Sequence, residues 1–168
     1  EGAVGVTVVY RPARSSVGVA LVPGVVATAA LAVNAASVAL GLAGLVVVAL
    51  GTARGSRRAV TLGGLVAYAG VVIAGITGAR PGLLLVAAAG TVVTWTTAQH
   101  VVGLARQLGR DAPVSRSVVV HLGATTVATL VAGGVALAVF RVTNGRLPFA
   151  AVVFLLAGVG FLLAALEL

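Results

Sequence analysis

The side chains best suited to chemistry in this chain are its two histidines, His100 and His121. On helices, Thr96 precedes His100 by one turn and Thr125 follows His121 by one turn. Both histidines fall about one turn inside the same predicted helix boundary, so the four side chains could face each other and form a polar pocket. Such a pair can transfer a proton or bind a metal, but a metal site needs further ligands. We therefore favour hydrogen bonding between helices, or contact with lipid headgroups, over a metal site.

Acidic side chains are scarce, because Glu1, Asp111 and Glu167 are the only ones and none lies inside a predicted span. Coupled transport of protons or cations usually needs an ionisable group within the membrane, and glycoside hydrolysis usually needs a pair of carboxylates. The chain also has no cysteine, no phosphate-binding loop with lysine and no Gly-x-Ser-x-Gly nucleophile elbow. These absences predict that the protein is not an enzyme and that it holds no cofactor and no metal.

The basic residues are eleven arginines without any lysine, and the net charge is +8. In a soluble protein such a charge would suggest nucleic-acid binding. Here the arginines stand singly or in small groups between apolar runs, a distribution that holds loops on the cytoplasmic side of a membrane. We therefore predict no nucleic-acid partner. We predict membrane lipids as partners instead, with Arg54, Arg57 and Arg58 contacting anionic headgroups.

The composition of the chain is typical of a membrane protein. Of its 168 residues, 60% are hydrophobic and 8% are charged, and the mean hydropathy is +1.20. A soluble domain has about 25% charged residues. The apolar residues form long runs, and about 20 consecutive apolar residues suffice for one membrane crossing. The sequence therefore predicts an all-α integral membrane protein.

The apolar runs predict six transmembrane helices arranged in three hairpins. The uncharged run 17–53 has 37 residues, and a single helix of that length would be about 55 Å long, well beyond a hydrocarbon core of about 30 Å. We therefore place a turn near Asn34–Ala35; a five-span arrangement, with this run as one span, is the second choice. A cytoplasmic leader, 1–16, precedes a single transmembrane domain, 17–168. The predicted spans are 17–33, 36–53, 59–79, 82–102, 118–140 and 148–166.

The arginines also predict how the six spans are oriented. With the N-terminus inside, eight arginines fall in inner segments, and Arg80, Arg141 and Arg146 fall in outer loops. Because arginine-rich loops remain on the cytoplasmic side, both termini are predicted to be cytoplasmic. We expect a multi-pass protein of a prokaryotic plasma membrane.

Small residues recur four positions apart along the predicted spans. The pairs are Ala20 with Gly24, Ser37 with Gly41, and Gly51 with Gly55. This spacing lets two helix backbones approach closely, either in a dimer or within one chain. We favour packing within the chain, because small residues are frequent throughout helical membrane bundles.

The segment 81–121 resembles a known protein family. The residues that carry the resemblance are Pro81-Gly82, Trp95, Gln107-Leu-Gly-Arg110, Ala112, Arg116 and Val120-His121. They resemble a family of small multi-pass membrane proteins from halophilic archaea that is classed only as a domain of unknown function. The resemblance implies no known activity. It implies genes near MoxR-type AAA ATPases and their companion membrane proteins, and hence a role in assembly or scaffolding.

These observations lead us to expect a non-enzymatic membrane scaffold or assembly subunit. The segment from Gly103 to Arg116 is the most polar part outside the predicted spans. Within it, Arg106, Arg110, Asp111 and Arg116 are predicted to face a partner. That partner would be another membrane subunit or a cytoplasmic AAA ATPase.

The alternative function is a small permease or channel for a neutral or anionic solute. Hydroxyl groups can line a polar path without carboxylates. The side chains predicted to line this path are Thr91, Thr94, Thr125, Thr129 and His121.

Overall fold

A computed structural model of the chain describes residues 14–108 and 115–142. Within these two ranges the chain forms helices and no strand, as the apolar runs predict. The helices are α1 (Arg14–Ala30), α2 (Ala35–Ala53), α3 (Arg57–Ile76), α4 (Pro81–Leu108) and α5 (Ser115–Val142).

The chain divides into two compact units, Glu1–Val131 and Ala132–Leu168. The described part of the first unit comprises α1 to α4 and α5 as far as Val131. The described part of the second unit, residues 132–142, is the end of α5, where Val135 and Val142 are exposed. Every site considered below lies in the first unit.

The helices α2, α3, α4 and α5 are long and apolar enough to cross a membrane, and α1 contains a shorter apolar helix, Ser16–Ala30. Large apolar side chains such as Val46, Leu62 and Leu130 are exposed on their surfaces. A water-soluble protein rarely exposes so much apolar surface, whereas lipid accommodates it. The helices therefore indicate a membrane protein. The predicted sixth span, 148–166, and the predicted leader as far as residue 13 lie outside the described residues.

The helices α4 and α5 extend beyond the apolar segments that were predicted as spans. Each has 28 residues, which corresponds to about 42 Å of helix against a hydrocarbon core of about 30 Å. The extra turns contain Arg106 at the end of α4 and Arg116 at the start of α5. Leucine, alanine, arginine and glutamine favour helix, so the helix continues where the apolar run stops.

The uncharged run 17–53 is divided between α1 and α2 by a turn at residues 31–34. Asn34 is the N-cap of α2, and its Oδ1 accepts hydrogen bonds from the backbone N–H and the hydroxyl of Ser37, at 2.8 and 3.1 Å. Its Nδ2 donates to Thr77 Oγ1, just past the end of α3, at 2.7 Å. The side-chain amide of Asn34 therefore caps the start of α2 and links the turn before α2 to the turn after α3.

Replacing Asn34 with alanine is expected to destabilise the protein by about 1–2 kcal/mol, because both the cap and the bond between the turns are lost. The variant Thr77→Val removes the bond between the turns and the bonds of its hydroxyl to the carbonyl oxygens of Ile73 and Ala74, but it keeps the cap of α2. It should have a smaller effect. The measurement is the fraction of protein that elutes as folded species in size-exclusion chromatography after heating in detergent. Equal losses for the two variants would contradict the capping role of Asn34.

The helices α2 and α3 cross at glycines that leave no room for a side chain. A methyl group on Gly44 would lie 2.6 Å from the carbonyl oxygen of Gly63 and even closer to the backbone nitrogen of Ala67. A methyl group on Gly63 would lie 2.6 Å from the backbone nitrogen of Val48. The backbones of the two helices are therefore in direct contact, the arrangement that small residues permit in membranes.

The small residues singled out in the sequence pack within the chain. Ser37, Gly41 and Gly51 are buried, and a methyl group on Gly51 would lie 2.8 Å from the backbone nitrogen of Val60 in α3. Gly55 serves a different purpose: its φ of 68° is in the left-handed region that favours glycine, and it forms the turn between α2 and α3. This packing supports the interpretation that the small residues serve contacts within one chain.

The helix α4 lies against α1, α2 and α3. Its closest approach to α1 is at Gly90, where a methyl group would lie 2.6 Å from the carbonyl oxygen of Pro23. Near the other end of α4, Val101 forms a buried cluster with Ala20 of α1 and Val118 of α5. Each face of α4 therefore packs on a different helix. The face on which a polar side chain of α4 lies determines which helix that side chain contacts.

Candidate functional site at the arginine-rich end of α3, α4 and α5

The structure brings the two histidines together where α4 meets α5. The ring centroids of His100 and His121 are 4.2 Å apart, and the ring planes differ by 11°, so the rings stack face to face. His100 lies about two turns before the end of α4, and His121 lies about two turns after the start of α5. The two side chains therefore meet at the same level of the antiparallel pair.

Hydroxyl groups surround the stacked histidines on α5 but not on α4. His100 Nε2 lies 3.4 Å from Ser117 Oγ, and His121 Nε2 lies 3.4 Å from Thr125 Oγ1. Thr96, predicted to join this pocket, donates its hydroxyl to the carbonyl oxygen of Val92 on its own helix, at 2.9 Å. The histidine cluster therefore consists of His100, Ser117, His121 and Thr125.

The stacked geometry restricts the chemistry of the histidines. Ring nitrogens bind a metal in the plane of the ring, so two nearly parallel rings do not direct their nitrogens at one ion. Across residues 14–108 and 115–142, no group of three or more His, Cys, Asp or Glu side chains could hold a metal ion. The arrangement is suited to joining α4 to α5 by ring stacking and hydrogen bonds.

A second set of α4 residues faces the first half of α3. Its members are spaced four, four and three residues apart and so share one face of the helix. They are Trp95, Gln99, Gly103 and Arg106. Gln99 Nε2 donates to Thr61 Oγ1 at 2.8 Å and to the carbonyl oxygen of Arg57 at 3.2 Å. We call these four residues the α4 stripe.

The cationic end of the α4 stripe lies against the turn between α2 and α3. A methyl group on Gly103 would come within 2.9 Å of the Arg57 Nη2, so the guanidinium of Arg57 lies directly over Gly103. One turn further along α4, Arg106 Nη2 donates to the carbonyl oxygen of Gly55 at 2.9 Å. Two guanidinium groups therefore lie on neighbouring parts of one surface.

The apolar end of the α4 stripe is Trp95, which is half-buried. Its ring lies over Gly64 of α3, where a methyl group would come within 3.0 Å of the Trp95 Cγ. The ring packs against a buried cluster that includes Val48 and Val60. Its indole Nε1 is buried without a hydrogen-bond partner among the described residues. Trp95 therefore fills space between α4 and α3 beside that cluster.

The predicted arginine sites lie at one end of the first unit. The exposed arginines at this end are Arg54, Arg57, Arg58, Arg106 and Arg116. Arg80, between α3 and α4, is exposed at the opposite end, near the Asn34–Thr77 bond. Of the predicted partner-facing residues, Arg110 and Asp111 lie outside the described residues.

Sequence reasoning did not identify Gln99, Gly103 and Thr61 as contact residues between α3 and α4. The spacing of Gln99, Gly103 and Arg106 could have indicated the contact, because it places an amide, a residue without a side chain and a cation on one helix face. Such spacing shows which residues share a face, but it does not show which helix the face meets.

The residues predicted to line a solute path fall into two groups, with Thr125 and Thr129 on the side of His121 and with Thr91 and Thr94 on other faces of α4. On α4, Thr91 lies nine residues before His100, or 2.5 turns, and therefore on the opposite face of the helix. Thr94 is buried against Gly24 of α1, where a methyl group would lie 3.0 Å from its Oγ1. On α5, Thr129 donates its hydroxyl to the carbonyl oxygen of Thr125 at 2.7 Å. The predicted path would have to pass through both faces of α4.

The sequence of the chain matches a known protein family. A protein-family model described as a family of unknown function (DUF7519) matches residues 10–163. No curated protein and no solved structure matches the chain.

Proposed function

We propose that this chain, which belongs to the DUF7519 family of unknown function, is a non-enzymatic scaffold or assembly subunit of a prokaryotic plasma membrane. In this proposal its arginine-rich end faces the cytoplasm and binds a partner with an acidic surface. The partner is another membrane subunit or a cytoplasmic ATPase.

The observation that carries this proposal is the uneven distribution of arginines between the two ends of the first unit. Five exposed arginine side chains lie at one end, and Arg80 lies at the other. Basic residues next to membrane-spanning helices stay on the cytoplasmic side. An exposed surface of one charge also speeds the encounter with a partner of opposite charge and favours it over other proteins.

The described side chains offer little for catalysis, which supports a binding role. The only acidic residues of the chain, Glu1, Asp111 and Glu167, lie outside the described helices. The two histidines stack on each other rather than flanking an open space, and Thr125 and Ser117 lie beside them. A general base needs a substrate proton within hydrogen-bonding reach of its ring nitrogen, and the Nε2 atoms of both rings already have a hydroxyl of this chain 3.4 Å away.

The permease or channel remains the alternative, but the positions of its predicted residues favour it less. Thr91 and Thr94 lie on the faces of α4 turned away from His100, and Thr94 is closely packed against α1. A pore needs polar groups that line one continuous path.

The proposal predicts that the full-length protein, tagged and purified from its native membrane in mild detergent, retains a partner in fixed stoichiometry. The double charge reversal Arg110→Glu with Arg116→Glu should lower that retention by roughly tenfold or more, because attraction becomes repulsion. Arg106 is left unchanged, since its guanidinium supports the turn at Gly55. Mass spectrometry identifies and quantifies the retained protein.

The matched control is Arg80→Glu, which reverses one exposed charge at the opposite end and should retain the partner. High salt should release the partner from the wild-type protein, because it screens exposed charges. Recovery of the protein alone, or retention that the double reversal leaves unchanged, would contradict the proposal. A solute flux in liposomes above that of empty liposomes would then favour the alternative.

A further inference from the structure

We propose that Arg57 and Arg106 form a binding site for the phosphate group of an anionic phospholipid headgroup, at the surface where the start of α3 meets the end of α4. The site lies within the arginine-rich end that carries the proposed function, but its ligand is a lipid and its specific residue is Arg57. The partner test changes Arg110 and Arg116, and the lipid test changes neither.

The position of Arg57 is set by α4 rather than by its own helix alone. Gln99 donates to the carbonyl oxygen of Arg57 and to the hydroxyl of Thr61 one turn later, so it holds the first turn of α3 against α4. Gly103, one turn beyond Gln99, has no side chain and leaves the space that the guanidinium of Arg57 occupies. The guanidinium is therefore placed by contacts with two helices, whereas an ordinary surface arginine is free to move.

Arg106 adds a second positive charge from the same face of α4. Its Nη2 donates to the carbonyl oxygen of Gly55, two residues before Arg57, which places its guanidinium at the same turn. A guanidinium carries five N–H donors, so this single bond leaves others for a ligand. The sequences of the described ranges contain no aspartate or glutamate, so no described carboxylate neutralises the two charges. An anion bound here would relieve their mutual repulsion.

The chemistry of the site fits a phosphate group. The planar guanidinium presents paired N–H donors that match two phosphate oxygens, and charge-assisted bonds of this kind are stronger than neutral ones. Two guanidinium groups on one surface can share the two charged, non-esterified oxygens of a phospholipid phosphate. A chloride ion offers no such pattern of separate acceptors.

The surroundings of the site favour a lipid headgroup over free phosphate. Arg57 is the first residue of α3, a helix apolar enough to cross a membrane, so it lies where phospholipid phosphates lie. Within about two turns, Leu62 and Leu65 of α3 are exposed, by 60% and 54%. They lie four and seven residues after Arg58, on the face of α3 next to the one that carries Arg57. A headgroup bound at Arg57 would therefore place its acyl chains beside this apolar surface.

The test is native mass spectrometry of the full-length protein in detergent, titrated with phosphatidylglycerol or with phosphatidylcholine. The wild-type protein is expected to bind phosphatidylglycerol about tenfold more tightly than phosphatidylcholine, and Arg57→Ala should remove most of that difference. Gly103→Ala keeps every charge but places a methyl group where the guanidinium lies. It should weaken phosphatidylglycerol binding by about threefold or more without unfolding the protein.

Arg58→Ala is the matched control, because it removes the same charge one residue along α3, on a different face of the helix. It should leave the preference for phosphatidylglycerol nearly unchanged. An equal loss for Arg58→Ala and Arg57→Ala would overturn the proposal in favour of a general attraction between charges. Displacement of phosphatidylglycerol by inorganic phosphate at an equal concentration would overturn the lipid as the ligand. Unchanged elution in size-exclusion chromatography shows that each variant is folded.

Discussion

A single methyl group added at Gly44 is expected to push α2 and α3 apart and to destabilise the protein by at least about 2 kcal/mol. The added Cβ would meet the carbonyl oxygen of Gly63 at 2.6 Å and the backbone nitrogen of Ala67. Backbone atoms in a helix cannot rotate away as a side chain can, so the helices themselves must move. Their separation would also weaken the contacts at Gly51 and Gly70, which lie along the same crossing.

The controls for Gly44→Ala are Gly18→Ala and Gly123→Ala, whose added methyl groups would have no atom within 4 Å. Alanine favours helix over glycine by about 1 kcal/mol, so the controls should be neutral or slightly stabilising. The fraction of folded protein after heating in detergent, measured by size-exclusion chromatography, distinguishes the variants. A Gly44→Ala protein as stable as the Gly123→Ala control would show that the two helices do not cross as closely as described.

Truncation of Trp95 to alanine is expected to destabilise the protein by at least about 2 kcal/mol. The half-buried indole fills the space above Gly64 and packs against the cluster that includes Val48 and Val60. Its removal leaves a gap between α4 and α3 that neighbouring side chains cannot fill without moving. Trp95→Phe should differ from the wild-type protein by less than about 1 kcal/mol, because it keeps an aromatic ring and removes the buried Nε1 that has no described partner.

A second substitution, at Gly64, tests whether Trp95 contacts this glycine directly. Gly64→Ala alone should be destabilising, since its methyl group would lie 3.0 Å from the indole. In the Trp95→Ala protein the same substitution should instead recover stability, because the methyl group enters the vacated space. Heating followed by size-exclusion chromatography measures all four proteins. Equal effects of Gly64→Ala in the two backgrounds would contradict direct contact between Gly64 and Trp95.

Much of the fold could be predicted because hydropathy and helix geometry act locally. The length of the uncharged run 17–53 required a break, and Asn34, its strongly polar residue, is the N-cap at that break. The apolar runs indicate where the spans lie but not where the helices end, because α4 continues past its apolar part to Leu108. An apolar run reports where lipid is favourable, whereas a helix ends where capping or helix-breaking residues stop it.

The contacts of the candidate site could be predicted only for residues whose depth along two neighbouring helices can be counted from the helix ends. His100 and His121 lie at similar distances from the ends of consecutive antiparallel helices, so counting turns suggests that they meet. The contact of Arg57 with Gly103 depends on which face of α4 meets α3. Small residues occur on several faces of every helix, so periodicity does not determine how a helix is rotated about its axis.

The packing of α1 on α4 has a consequence for how the protein is synthesised. The ribosome makes α1 first, yet α1 packs more extensively on α4 than on α2, with Gly90 lying against the carbonyl of Pro23. The α2–α3 pair is contiguous in the chain and can associate as soon as α3 has been translated. The α1 face that includes Ala20 and Ala27 therefore faces lipid, without its partner helix, until α4 has entered the membrane. Translation of α4 therefore completes the packing among α1 to α4 and, through Gly103, also completes the surface on which Arg57 lies.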